Sequence, residues 1–83
     1  MVKRSVTLKR PEEIDRSAAL LVQTASSFDS RIHVFYDNRR INAKSIMGVM
    51  TLPLAEGNSF DIIADGTDEE KAIDAMADFF MAD

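Results

Sequence analysis

Apolar positions along this chain follow two periods, and each change of period marks a boundary between elements. Val6 and Leu8 alternate with Ser5 and Thr7, which predicts a short first strand ending at Pro11, where the ladder loses an N–H donor. Ala18, Leu21, Val22, Ala25 and Phe28 then recur at helical spacing, with Gln23, Thr24, Ser26 and Ser27 facing away. Residues 30–36 return to alternation and set Ile32, Val34 and Tyr36 on one face. Asp37-Asn38 has the residue types of a tight hairpin turn, where positive φ is needed. A brief return strand over residues 39–43 leads into a short helix after Ser45. Phe60, Ile62 and Ala64 alternate with Asp61, Ile63 and Asp65 in a last strand. The final helix is marked twice. Thr67-Asp68-Glu69-Glu70 matches a capping box, and Ala72, Ile73, Met76, Phe79 and Phe80 form its apolar stripe.

The resulting order, βαββαβα, fits an α+β fold in which one sheet carries all its helices on one face, without long loops. The 83 residues suffice for a single domain, 1–83, and not for two. The absence of cysteine excludes disulfides and thiolate metal sites and fits a reducing, cytoplasmic setting. No apolar run approaches a membrane span, and the N-terminus lacks a signal-peptide core. A net charge of −4 argues against direct nucleic-acid binding. Acidic residues gather at Glu12-Glu13 and over residues 65–70, and Arg39-Arg40 forms a small basic pair; all read as solvated ends and turns.

Candidate chemistry centres on Lys44-Ser45-Ile46-Met47-Gly48-Val49-Met50, a serine set before a methionine-rich apolar segment. Serine is a favoured N-cap, because its oxygen accepts from the free N–H groups of the first turn. Helix N-termini also attract anions, so a phosphate on Ser45 would meet a favourable field. Two readings follow. Ser45 is a plain cap with Ile46, Val49 and Met50 in the core, or it is a modification site beside an exposed patch. Gly48 costs such a helix about 1 kcal/mol relative to alanine, so the helix must be short and held by packing.

Residues 42–52, Asn-Ala-Lys-Ser-Ile-Met-Gly-Val-Met-Thr-Leu, closely resemble the regulatory-serine segment of HPr, the small phosphocarrier family of the bacterial sugar phosphotransferase system. Residues 21–26 resemble the family's first helix, and Glu56-Gly57-Asn58 and residues 64–69 fall where it has its later turns. The resemblance runs from about residue 16 to the end. It implies an HPr-like open-faced β-sandwich: a four-stranded antiparallel sheet in the order 1-4-2-3 with three helices on one face. It implies no cofactor.

The family carries phosphate on a histidine inside a Gly-Ile-His-Ala-Arg-Pro-Ala pattern, and here that stretch is Glu13-Ile14-Asp15-Arg16-Ser17-Ala18-Ala19. An ungapped register puts Ile14 at the histidine position but turns Ser5 and Thr7 to the core. A one-residue deletion near Asp15 restores Val6 and Leu8 to the core and puts Asp15 at or beside the histidine position. In both registers the histidine is missing, and Arg16 is the surviving site residue. Asp15 then serves as a helix cap, as an acyl-phosphate carrier, or as a standing mimic of the phosphorylated histidine, with Glu12 and Glu13 opposing a second anion. The chain's single histidine, His33, falls in the second strand on the face opposite Ile32 and Val34, exposed and far from Arg16, with no second histidine to form a metal pair.

The resemblance therefore implies a regulatory member of the family, not an enzyme, similar to its catabolite-repression paralogue. Its partners would be HPr kinase/phosphorylase, acting at Ser45, and a LacI-type catabolite control regulator. That regulator would dock on Arg16, Ile46, Met47 and Met50. The alternatives are a diverged phosphocarrier using Asp15, or a binding domain that has lost both phosphorylation roles. Phe35 and Ile63 are expected to point to the open side of the sheet. There they would form an exposed apolar pair with His33 at its edge, a surface for a weak homodimer.

Overall fold

The computed structural model describes residues 1–9 and 14–81, with only the backbone described for residues 14–16. Four strands, β1 (Val2–Thr7), β2 (Arg31–Tyr36), β3 (Arg39–Asn42) and β4 (Ser59–Asp65), form one sheet in the order β1-β4-β2-β3. All three pairings are antiparallel. Three helices, α1 (Ile14–Ser26), α2 (Ile46–Val49) and α3 (Glu69–Met81), complete the expected βαββαβα order. The open-faced α+β sandwich follows from the alternation. Val6, Ile32, Val34, Phe60, Ile62 and Ala64 are buried on the inner side of the sheet. Ala18, Leu21 and Ala25 of α1 and Ala72, Ile73, Met76 and Phe80 of α3 are buried with them in the same core.

Aromatic rings link sheet to helix at one end of this core. Phe60 lies 5.1 Å from Tyr36 and 5.2 Å from Phe80, ring centre to ring centre, in the tilted geometry that aromatic quadrupoles favour. The β2–β3 hairpin turns as its residue types require, with Asp37 and Asn38 at φ 50° and 65°. Gly57 takes φ 90° in the turn before β4, where its N–H donates to Leu8 O at 2.8 Å.

Three expectations need correction. Regular pairing of β1 stops at Thr7, although Leu8 continues inward and its N–H donates to Asn58 O at 2.9 Å; the expected stop, Pro11, lies outside the described residues. The capping box at the start of α3 is not formed by Thr67 and Glu70. Glu69 reaches back instead, its carboxylate accepting the Gly66 N–H at 3.1 Å, while Asp68 turns its carboxylate to the Asp29 and Ser30 backbone. These acids are thus partnered rather than merely solvated, and Arg39 likewise donates to Thr51 O at 3.2 Å.

Candidate functional site

Ser45 caps α2 from an extended conformation, φ −106° and ψ 111°, and its Oγ accepts the Gly48 N–H at 3.3 Å. The approach to the cap is fixed by Asn42, whose Oδ1 accepts the Lys44 N–H at 2.9 Å and whose carbonyl accepts the Ser45 N–H at 3.0 Å. Lys44 Nζ donates to Phe28 O at 2.7 Å and ties the turn to the end of α1. Past the helix, Thr51 Oγ1 donates to Gly48 O at 2.6 Å, and Arg39 holds Thr51 from β3. Gly48 has a packing reason. A Cβ there would lie 3.1 Å from Ile41 Cγ2, so glycine lets the short helix sit close on β3.

The plain-cap reading holds for the cap itself and for Val49, but not for the other two residues it placed in the core. Val49 alone of the three expected core residues is fully buried; Ile46 is 42% exposed and Met50 51%. Met47 is 80% exposed. A four-residue helix can turn only one such side chain inward, so the others form an apolar surface beside Ser45. Sequence reading missed Leu20, an apolar residue of α1 that is 37% exposed. The signal was present: Leu20 falls outside the stripe of Ala18, Leu21, Val22 and Ala25.

The backbone of Ile14, Asp15 and Arg16 opens α1, but their side chains, like Glu12 and Glu13, lie outside the described residues. Ser17 and Ala18 behind them are buried. Val6 and Leu8 face the core, the facing that the gapped register requires.

His33 sits in the middle of the sheet, opposite Asn42 on one side and Ile63 on the other. It is half-buried rather than exposed, and its pKa lies below the ordinary histidine value, first through burial and then through the charges of Arg40 and Arg31. Among the described residues no group of histidines and carboxylates is arranged to hold a metal. Phe35 and Ile63 do share the open face, but both are half-buried and diagonal, because Phe35 opposes Asp61 while His33 opposes Ile63. His33 is therefore inside that patch, not at its edge.

Across residues 2–82 the chain matches the model of the PTS-HPr family, described as "PTS HPr component phosphorylation site". The chain belongs to the HPr family. It is 40% identical to the HPr-like protein Crh of Halalkalibacterium halodurans over 80 residues, 95% of each chain. It is 42% identical to the phosphocarrier protein HPr of Treponema pallidum over 80 residues, 96% of this chain and 91% of that one. The crystal structure of HPr from Bacillus anthracis superposes with a TM-score of 0.90 at 36% identity, covering 96% of both chains. HPr-family members are phosphocarriers or regulatory proteins rather than enzymes.

Two further HPr-family structures are dimers. One is HPr of Thermoanaerobacter tengcongensis, 49% identical with a TM-score of 0.73 over 88% of this chain and 87% of that one. The other is Crh of Bacillus subtilis, described as a swapped dimer, 36% identical with a TM-score of 0.74 over 96% and 86%. No helix among the described residues is long and apolar enough to cross a membrane.

Proposed function

We propose that this HPr-family chain is a regulatory protein of carbon catabolite control, phosphorylated on Ser45 by HPr kinase/phosphorylase and not a histidine phosphocarrier. One observation carries the reading. Ser45 caps α2 beside the exposed Ile46, Met47 and Met50, while the chain's single histidine lies in mid-sheet at His33.

Phosphorylation adds about −1.5 to −2 charges at neutral pH and three strong acceptor oxygens. On Ser45 that charge would stand next to an apolar surface whose methionines adapt to a partner's shape. The LacI-type catabolite control regulator is the partner we assign to this surface, with Arg16 contributing to the contact. The action is cytoplasmic, and the domain spans residues 1–83. The weak homodimer we assign uses the open sheet face at Phe35 and Ile63; that two relatives dimerise, one of them by swapping, supports self-association.

Two parallel incubations test the proposal. Enzyme I with phosphoenolpyruvate should leave the protein unmodified, and HPr kinase with ATP should add one acid-stable phosphate. Phosphohistidine at His33, or an acyl phosphate at Asp15, would replace the regulatory reading with a phosphocarrier.

A further inference from the structure

Charge divides the open face of the sheet into two halves. On the β1–β4 half each acid already has partners. Asp61 lies 3.8 Å from Lys3 Nζ and accepts the Ser5 hydroxyl at 2.6 Å, and Asp65 lies 3.6 Å from the N-terminal ammonium. On the β2–β3 half the balance reverses. Among the described residues the guanidiniums of Arg31 and Arg40 make no ion pair and no hydrogen bond, in a chain whose net charge is −4. Between them lies a recess of about 420 Å³ lined by Arg31, Ile32, His33, Arg40, Asn42 and Lys44, with no carboxylate in its wall.

The remaining polar groups of the recess have donors to spare. Asn42 spends its side-chain oxygen on the Lys44 N–H, which leaves the amide NH₂ to donate outward. Lys44 Nζ gives one of its three N–H bonds to Phe28 O.

We propose that this recess binds a small anion carrying two linked phosphate groups, held between Arg31 and Arg40 with Asn42 and Lys44 donating at its edge. Guanidinium forks match phosphate oxygens two at a time, and two forks with two further donors exceed what a single carboxylate can satisfy. The volume falls in the lower range of small-molecule sites. Nucleic acid is disfavoured, because Asp65 lies opposite Arg31 at the recess and the chain is acidic overall. The site shares Asn42 and Lys44 with the approach to the Ser45 cap but uses neither Ser45 nor its phosphate, so its test does not depend on the regulatory reading.

His33 reports on occupancy. The charged groups facing it are Arg31 on its own strand, Arg40 on β3, Lys44 beyond β3, Asp65 on β4 and the N-terminal ammonium beside β1. Burial, and after it the two arginine charges, lowers its pKa; a bound anion offsets those charges, so binding moves the His33 pKa upward.

NMR titration of the full chain with sodium pyrophosphate at fixed ionic strength tests the site. The expected result is saturable shifts confined to the lining residues, with an upward shift of the His33 pKa. Arg40→Gln should lose roughly tenfold in affinity, the equivalent of one charge-assisted hydrogen bond, while Lys71→Gln, which removes the same charge from α3, and Ser45→Ala should lose none. The His33 pKa in the parent decides the matter even if Arg40→Gln misfolds. Unsaturable shifts spread over all basic residues, equally tight citrate binding, or a response to polyglutamate without one to pyrophosphate would each overturn the proposal.

Discussion

Asp68 and Ser30, 38 positions apart, are joined at the point where β2 meets the start of α3: the Asp68 carboxylate accepts the Ser30 N–H at 2.9 Å and the Ser30 hydroxyl as well. A second carboxylate oxygen accepts the Asp29 N–H at 2.9 Å. These bonds favour the ionised acid, led by the Ser30 side chain, and hold its pKa below the ordinary aspartate value. The contribution is fully present above the unfolded-state pKa and is lost as pH falls through the lower folded-state value. Denaturation midpoints followed from neutral to acid pH should therefore drop in the parent. Asp68→Asn should start less stable and drop less. An unchanged pH profile in Asp68→Asn would remove Asp68 from the account of acid sensitivity.

Gly66 follows β4 directly against the same junction. A Cβ there would meet Ser30 Cα at 2.7 Å, backbone that cannot swing aside. Gly66→Ala should cost about 1–3 kcal/mol in urea unfolding, in the range of overpacking a closed contact. A loss under about 0.5 kcal/mol would mean that the β4–α3 link adjusts freely.

Much of this architecture was legible in the sequence. Alternation at Val6, Ile32, Val34, Phe60, Ile62 and Ala64 and helical spacing at Leu21, Ile73, Met76 and Phe80 require burial in periods that geometry dictates. The Asp37-Asn38 turn was legible because positive φ narrows the choice of residue. What sequence missed depends on contacts distant in the chain. Asp68 looked like a member of a local capping box, yet it bonds to Ser30, 38 positions away, while Glu69 keeps a local bond to Gly66, one residue earlier than the pattern suggested. The unpaired arginines of the recess were equally invisible, since register alone places Arg40 and Asn42 across from Phe35 and His33. At the candidate site, Ser45 as a cap was readable, but Ile46 and Met50 stayed open between a core reading and a surface reading until their exposure was seen. Four helical residues carry too short a pattern to show which face is inward.

Met47 and Met50 belong to a surface that the fold does not use, so Met47→Ala and Met50→Ala should change stability by less than about 0.5 kcal/mol. Each should weaken capture of the kinase-treated protein by the catabolite control regulator by about 1 kcal/mol or more, as truncation of a buried interface side chain does. Calorimetric titration reads both members of the pair. Full-strength binding by the double variant would place the docking surface elsewhere.

Phe35 faces the open side of the sheet near Ile63. In sedimentation velocity, Phe35→Lys should keep the folded spectrum and shift the protein to monomer at concentrations where the parent dimerises. A parent that is already monomeric at high concentration would end the sheet-face dimer.

The central claim is the role of Ser45, and phosphosite mapping after incubation with HPr kinase and ATP tests it most directly. The account predicts one phosphate per chain on Ser45, none on Ser45→Ala, and only partial imitation by Ser45→Asp, whose single carboxylate has less charge and fewer acceptors. Undiminished labelling of Ser45→Ala, or a phosphate mapped to any other residue of the parent, would contradict it.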